Sequence, residues 1–282
     1  MSATDTAQSA AWLRACRRAV DSVRALLAAS PLTEQRAAYT GLRGEGGDRT
    51  LQLDFDAEAA ILEQLAELHR RGLRFQALSE ERGLIDFGGD DLRVIVDPID
   101  GSLNAKRDAC HYALSLAVAD GETMADVTFG FVHDFGSGEQ WWAARGEGAR
   151  RDGGMLDPAA GERRTRAGLL ELVGVEAADP RWLAGSAARL AQCAHRVRAL
   201  GTIAATLCQV AAARYDGMVT LRPCRGVDAA AGQLIVREAG GLVAFCECDL
   251  PLGAPLDAAQ GSHLVAARTP RALEQLRAVV LG

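Results

Sequence analysis

The chain of 282 residues lacks the features that would place it in a membrane, in a secretory pathway or among zinc proteins. No apolar run is long enough to cross a bilayer, and the N-terminal segment has no signal-peptide core. Its seven cysteines include no C-x-x-C pair and are odd in number, which favours free thiols in a reducing compartment. We therefore expect a cytoplasmic protein without a membrane partner.

Lysine is nearly absent, since Lys106 is the only lysine among 31 lysine and arginine residues. Against 37 acidic residues the formal net charge is −6, which argues against a general nucleic-acid binder. A small anionic substrate stays compatible with this charge, because bound metal ions reverse the local field. The five histidines are dispersed along the chain, so we expect none of them to take part in the chemistry.

Hydrophobic periodicity divides the chain into two halves. Residues 1–152 contain two amphipathic helices, predicted over 9–29 and 55–71, and a series of short strands, which together indicate an α+β half. In residues 153–282 strands and helices alternate, as in layered α/β folds. About half of all residues are apolar, which is enough for a sizeable core.

Several local predictions concern the segments between these elements. The Gly-rich, charged stretch 41–49 is predicted to be a mobile loop, and the acidic stretch 86–91 a polar turn between two strands. In the second half a short extended segment is predicted over 197–200, followed by a helix over 202–214 that Thr202 can cap.

The strongest chemical signal is the run Asp97-Pro98-Ile99-Asp100-Gly101-Ser102. It ends an apolar stretch typical of a buried strand, and buried carboxylates must be neutralised because their desolvation is costly. Hard cations with oxygen ligands can neutralise them. The following Gly-Ser can open a helix, whose free N–H groups favour phosphate. Metal and phosphate at one point indicate phosphoryl chemistry, although an ordinary Asp-Pro turn also fits this run taken alone.

Four further acids have ordinary structural explanations when each is considered alone. Glu80 and Glu81 follow a predicted strand and fit solvated surface charge. Asp54 and Asp228 each lie at a predicted helix start, where they fit a cap or a favourable contact with the helix dipole. These acids gain significance only as a set with the central motif.

As a set, these segments resemble the inositol monophosphatase superfamily. That superfamily carries a D-P-[IL]-D-G-[ST]-x-N motif, an upstream E-E pair and a late [WVI]-D-x-A-A-G segment. The matches follow one another from about residue 10 to residue 280: Asp54 with Glu58, Glu80-Glu81, Asp97 to Ser102 with Asn104, Glu139 to Gly153, Arg198 with Gly201-Thr202, Val227 to Gly232, and Glu238 to Gly241. The resemblance implies a sugar-phosphatase fold with alternating αβαβα layers, a site between the two halves, and a homodimer.

The resemblance also implies two or three Mg²⁺ ions. Glu80, Asp97 and the Ile99 carbonyl would hold the first ion. Asp97, Asp100 and Asp228 would hold the second, and Glu80 would bind a third ion more weakly. Mn²⁺ is expected to substitute for Mg²⁺, whereas Ca²⁺ and Li⁺ are expected to inhibit.

The remaining catalytic assignments concern water and phosphate. By resemblance, Asp54 and Ser102 would orient the water that attacks phosphorus. Backbone N–H groups of Gly101 and Ser102 would bind phosphate oxygens at the helix start.

Three departures from the family pattern lie in the segment before Asp228. Inositol-preferring members carry an acid seven residues before the late aspartate, where this chain has Leu221. Arg222 and Arg225 follow and fit either a solvated loop or ligands for a second substrate anion. Val227 replaces the usual tryptophan, which we interpret as a packing variation. Lys106, beside the motif, is a candidate for steering anions towards the cleft.

The sequence therefore predicts Mg²⁺-dependent hydrolysis of a phosphate monoester on a small polyol or sugar similar to inositol 1-phosphate. Fructose 1,6-bisphosphate is the first alternative substrate, followed by 3′-phosphoadenosine 5′-phosphate or an NADP phosphate. A hypothesis of another class is a catalytically silent relative that binds a phosphorylated metabolite and regulates a partner. The complete set of acids favours the enzyme, because a silent relative has no need of every ligand.

Overall fold

The computed structural model describes residues 3–44, 49–258 and 261–282, and no helix within these ranges is long and apolar enough to cross a membrane. The described helices are α1 Ala3–Ala29, α2 Thr33–Arg36, α3 Gln52–Arg70, α4 Ser102–Arg107, α5 Pro180–Cys193, α6 Ile203–Ala211, α7 Gly226–Glu238 and α8 Pro270–Leu281. The described strands are β1 Tyr39–Arg43, β2 Arg49–Leu51, β3 Phe75–Ser79, β4 Gly83–Asp100, β5 Ala113–Ala119, β6 Val127–Asp134, β7 Gln140–Ala144, β8 Ala149–Arg151, β9 Gly154–Met155, β10 Leu170–Glu176, β11 Ala194–Arg198, β12 Gly217–Thr220, β13 Cys224–Arg225, β14 Leu242–Phe245, β15 Gly261–Ser262 and β16 Leu264–Ala267.

The main elements stack in the order helix, sheet, helix, sheet, helix. Helices α1 and α3 cover one face of a sheet with the strand order β3-β4-β5-β6-β7-β8-β9. Helices α6 and α7 lie between this sheet and a second one with the order β11-β10-β12-β16-β14, and α5 and α8 cover the outer face of the second sheet. The predicted αβαβα layering is therefore confirmed.

Strand β5 shows why the layers pack closely. It is buried along its whole length, as expected for a central strand with helices on both faces. Its leucines pack towards α1 and α3, whereas its alanines face the apolar cluster around α6 and α7. On the neighbouring strand, a Cβ at Gly130 would come within 2.7 Å of the Ala231 carbonyl oxygen, so only glycine lets α7 approach this sheet so closely. This approach brings the start of α7 to the end of β4.

The acidic stretch 86–91 lies within β4, and the chain reverses direction there, so the predicted turn is present but lies inside one strand element. Gln76 of β3 pairs with both Asp86 and Arg93, which means that β4 flanks β3 on both sides. The chain bends at Gly88, which has a φ of +76° and donates its N–H to the Asp86 carboxylate at 2.7 Å. The local turn chemistry is present, but backbone pairing on either side extends the strand through it.

The stretch 41–49 also differs from the predicted loop where it is described. Its first residues belong to β1 and Arg49 to β2, which pair antiparallel. Positions 45–48 lie outside the described residues. The N-cap of the next helix is Leu51, so Asp54 lies in the first turn of α3 and does not cap it.

In the second half the predicted alternation holds, with shifted ends. Strand β11 begins at Ala194, earlier than predicted, and α6 ends at Ala211. Thr202 caps α6 as predicted, since its hydroxyl accepts a hydrogen bond from the Ala205 N–H at 3.3 Å. An apolar cluster between the two sheets contains Ile95 of the first half and Ala266 of the second. The two halves therefore share a core.

A buried histidine gives the fold a testable acid sensitivity. Burial, together with Arg24, lowers the pKa of His133 to about 4. Unfolded histidine titrates near 6.5, so the unfolded chain takes up the extra proton first and stability falls as the pH drops from about 6.5 to 4. Between pH 7 and pH 4 the free energy of unfolding of His133→Gln should therefore fall by about 2–3 kcal/mol less than that of the parent chain. Denaturant unfolding at the two pH values measures this difference.

The exposed His195 supplies the matched control, His195→Gln, for the same measurement. If both variants lose stability on acidification as steeply as the parent chain, the burial of His133 has no role in acid sensitivity.

Candidate active site

The central motif lies where β4 ends and α4 begins. Strand β4 pairs with β5 at Asp97 and again at Asp100, with an irregularity between the two positions. Gly101 precedes α4 with a left-handed φ of +94°, and a Cβ there would lie 2.9 Å from the Gly201 carbonyl oxygen. Only glycine suits this position, both for its conformation and for its contact with the second half.

Four carboxylates from three distant segments lie close together where β4 ends: Glu80, Asp97, Asp100 and Asp228. Burial, and then the charges of Glu80, Asp100 and Asp228, raise the pKa of Asp97. Burial and Asp228 also raise the pKa of Asp100, while a hydrogen bond from Thr202 opposes the rise. Asp228 therefore faces the other acids, and its side chain is only 13% exposed.

Arg225 is the cation within this acid cluster. Its guanidinium contacts Glu80 and lies 3.1 Å from Asp228 Oδ1, and its backbone N–H donates to Asp228 Oδ2 at 2.9 Å. Burial works against it, but Asp228 and Glu80 raise the pKa of Arg225. The residue predicted to bind a substrate anion is thus engaged by the acids. Arg225 contacts two of the four carboxylates, and its single charge does not balance theirs.

Asp54 and Ser102 are neighbours at the edge of the acid cluster. Burial, and then the charges of Glu80 and Glu81, raise the pKa of Asp54, whereas the Ser102 hydroxyl opposes the rise. The Ser102 hydroxyl also donates to the Ile99 carbonyl at 3.0 Å. Within the described chain, Asp54 Oδ1 is buried without a hydrogen-bond partner. Such an oxygen is costly, and it marks a place for a water molecule or a cation.

The donor set suits a hard divalent cation. Carboxylate and carbonyl oxygens are the ligands that Mg²⁺ prefers, and the shortage of positive charge gives a cation a reason to bind. Within residues 3–44, 49–258 and 261–282, no three His, Cys, Asp or Glu side chains are already arranged as an ion cage. Arg225 contacts Glu80 and Asp228 at this place. The residues fit the ions chemically, and the assignment of individual ligands stays a prediction.

A cleft of about 630 Å³ opens beside the acid cluster and is lined by both Asp100 and Asp228. This volume suits a small metabolite. Arg222 lines the same cleft and is exposed, whereas the preceding Leu221 is buried. Lys106, predicted to steer anions, donates to the Tyr39 hydroxyl at 3.2 Å.

Two cleft residues were not predicted as part of the site. Thr202 was identified as a helix cap, and its hydroxyl also donates to Asp100 Oδ2 at 2.6 Å. Glu176 ends β10 as a buried acid and lines the cleft. The available signal was the same as for Asp97, an acid that closes an apolar strand.

The sequence is similar to those of known proteins over most of its length. The chain matches the sequence model of the inositol monophosphatase family over residues 12–281. It is 33% identical over 232 residues to the fructose-1,6-bisphosphatase/inositol-1-monophosphatase of Methanothermobacter thermautotrophicus, covering 77% of this chain and 78% of that protein. It is 32% identical over 232 residues to Nus factor SuhB of Pasteurella multocida, covering 81% of each chain.

The fold is shared with solved structures. An inositol monophosphatase–fructose 1,6 bisphosphatase matches with a TM-score of 0.79 at 23% identity, covering 95% of this chain and 99% of that chain. The extragenic suppressor protein SuhB from Bartonella henselae matches with a TM-score of 0.76 at 25% identity, covering 96% of this chain and 99% of that chain. By its sequence this chain belongs to the inositol monophosphatase family, a family of phosphoric monoester hydrolases.

Proposed function

We propose that this protein hydrolyses a phosphate monoester on a small polyol or sugar with the aid of Mg²⁺ bound at the acid cluster. The observation that carries the proposal is the meeting of Glu80, Asp97, Asp100 and Asp228, with Asp54 nearby, at the side of one cleft. The size of the cleft and the membership of the family support the same class of reaction.

The ion ligands in this proposal are those expected from the family resemblance. Glu80, Asp97 and the Ile99 carbonyl would hold one Mg²⁺, and Asp97, Asp100 and Asp228 a second, with a weaker third ion near Glu80. Bound there, the ions would lower the pKa of a water molecule and neutralise charge on the leaving oxygen.

The other residues of the cleft would act on water and phosphate. Asp54 has a buried oxygen without a partner, so it can accept a proton from a water molecule held beside the Ser102 hydroxyl. The N–H groups of Gly101 and Ser102 lie at the start of α4, where intrahelical acceptors are missing, and can donate to phosphate oxygens.

A sugar bisphosphate is the second candidate substrate, and Arg222 favours it. Of the two arginines predicted to bind a second anion, Arg225 is engaged by the acids, while Arg222 is exposed on the cleft. Leu221 offers no carboxylate to substrate hydroxyls. The Methanothermobacter relative is named for both fructose-1,6-bisphosphatase and inositol-1-monophosphatase activities.

A regulatory role is the alternative of another class, and the SuhB relatives named as Nus factors give it support. The complete set of acids favours catalysis over a silent binder. A homodimer, substitution by Mn²⁺ and inhibition by Ca²⁺ and Li⁺ remain proposals that rest on the family resemblance.

A substitution at Asp97 tests the proposed ions and the proposed phosphatase activity together. Asp97 is shared by both proposed ion positions, so Asp97→Asn should lower turnover by about 1,000-fold or more at saturating Mg²⁺. Release of inorganic phosphate from an aryl phosphate, and then from a panel of phosphorylated metabolites, measures this, and EDTA should abolish the parent activity. Asp91→Asn, on the exposed bend of β4, is the control. Near-normal turnover by Asp97→Asn, or full activity in EDTA, rejects the proposal.

A substitution at Arg225 tests the charge balance of the acid cluster. Arg225→Gln removes the guanidinium that contacts Glu80 and Asp228, so the melting temperature in EDTA should fall by about 3–6 °C. Millimolar Mg²⁺ should then raise the melting temperature of this variant more than that of the parent chain. Arg222→Gln, on the exposed side of the cleft, should change neither value. Equal Mg²⁺ shifts in all three proteins contradict this role of Arg225.

A substitution at Arg222 distinguishes the two candidate substrates. Arg222→Leu should raise the KM for fructose 1,6-bisphosphate about tenfold relative to that for inositol 1-phosphate, because a charge-assisted hydrogen bond to the second phosphate is lost. Steady-state kinetics with both substrates give the ratio, and the exposed Arg166→Leu is the control. The same change in KM for both substrates removes the second-anion site.

A further inference from the structure

A buried carboxylate outside the acid cluster has no part in the proposed chemistry. Glu176 is 2% exposed at the end of β10. Its carboxylate accepts hydrogen bonds from the backbone N–H groups of Leu200 and Gly201, at 2.9 and 3.0 Å, and from the Thr206 hydroxyl at 2.6 Å. All three donors belong to α6 or to the turn that leads into it. Glu176 therefore holds this turn against the sheet of the second half.

The same turn is held from the other side by the first half. The Asn104 side chain in α4 donates to the Leu200 carbonyl at 2.7 Å and to the His111 carbonyl at 2.8 Å. Gly201 has a φ of +80°, and a Cβ there would come within 2.9 Å of Asn104 Nδ2. The turn thus has no room to shift towards α4, and its left-handed residue keeps a conformation that the chain seldom adopts.

The turn ends at Thr202, which contacts the acid cluster directly. The Thr202 hydroxyl and the Ala204 N–H both donate to Asp100 Oδ2 at 2.6 Å. Both bonds use one oxygen, so they orient the Asp100 carboxylate without engaging Oδ1. The backbone of the turn therefore connects the hydrogen bonds of Glu176 to those of Asp100.

We propose that Glu176 is a positioning residue that acts through the Leu200–Thr202 turn on Asp100 and thereby sets the affinity of the second divalent-ion position. The inference rests on the proposed function, because it requires Asp100 to be an ion ligand. A Glu176→Gln side chain keeps the shape but presents an NH₂ group where the glutamate accepts N–H donors, so the turn must shift or lose a bond.

Asp216 provides a matched control in the same half of the chain. It is also 2% exposed, and its carboxylate accepts the backbone N–H groups of Arg163 and Leu172 at 2.7 and 2.8 Å. Neither partner lines the cleft. Asp216→Asn therefore removes the same kind of buried backbone clamp, and the same charge, away from the acid cluster.

The experiment measures binding of Mn²⁺ alone by electron paramagnetic resonance, on the full chain without substrate. Burial raises the pKa of Glu176 to about 7, so a pH near 8 keeps the carboxylate ionised. Glu176→Gln should lower the Mn²⁺ affinity of the ion position that uses Asp100 by about tenfold, as is usual for residues that orient metal ligands. Asp216→Asn should leave the Mn²⁺ affinity within about twofold of the parent value, although both variants melt at a lower temperature.

A double-mutant cycle tests the route through the turn. Thr202→Val removes the hydroxyl that reaches Asp100 and should weaken Mn²⁺ binding by itself. If Glu176 acts through Thr202, the double variant loses no more affinity than Thr202→Val alone. Should Glu176→Gln fail to fold, Thr206→Val removes one of its three hydrogen bonds and should give a loss of about threefold.

The outcomes separate this inference from the proposed function. A parent chain that binds no Mn²⁺ overturns the proposed function, and the inference with it. A parent chain that binds Mn²⁺ and releases phosphate, with unchanged affinity in Glu176→Gln, overturns the inference alone. Equal losses in Glu176→Gln and Asp216→Asn, or additive losses in the double variant, also overturn it.

Discussion

Negative charge gathered in a buried cluster of carboxylates is the constraint on which the rest of this structure depends. Burial and mutual repulsion raise the pKa of Asp54, Asp97 and Asp100, and the guanidinium of Arg225 balances only part of this charge. Such a cluster costs stability until cations enter it. Divalent ions bound there, as we propose, would offset this cost and assist the phosphoryl chemistry.

The same charges also join the two halves of the molecule. Asp100 comes from the first sheet and accepts hydrogen bonds from Thr202 and Ala204 of the second half. Glu80 contacts Arg225 across the same boundary. The site is therefore part of the contact between the halves, together with the apolar cluster that they share. Any rotation of one half against the other would separate Asp100 from its donors and displace the carboxylates from one another.

In the proposed function, selection of the substrate depends on Arg222, which lines the cleft, and on the buried Leu221 before it. The acids and the start of α4 can serve any phosphate monoester, whereas Leu221 and Arg222 differ from the pattern of inositol-preferring relatives. An apolar residue cannot bind sugar hydroxyls, and an exposed arginine can bind a second anion. If both assignments hold, the chemistry and the choice of substrate belong to different segments, and one can vary without the other.

The sequence by itself determined the layered fold, most helix ends and the acids of the site, because apolar periodicity, capping residues and short motifs are local signals. Only the tertiary structure decided the partners of Arg225 and Glu176. Arg225 meets Glu80 across 145 positions, and Glu176 meets Leu200 across 24. The stretch 86–91 shows the same limit, since its turn residues are local but the pairing of β4 with β3 on both sides depends on where β3 lies. Contacts between distant segments form when the sheets and helices pack, and the spacing of residues along a chain carries no measure of that packing.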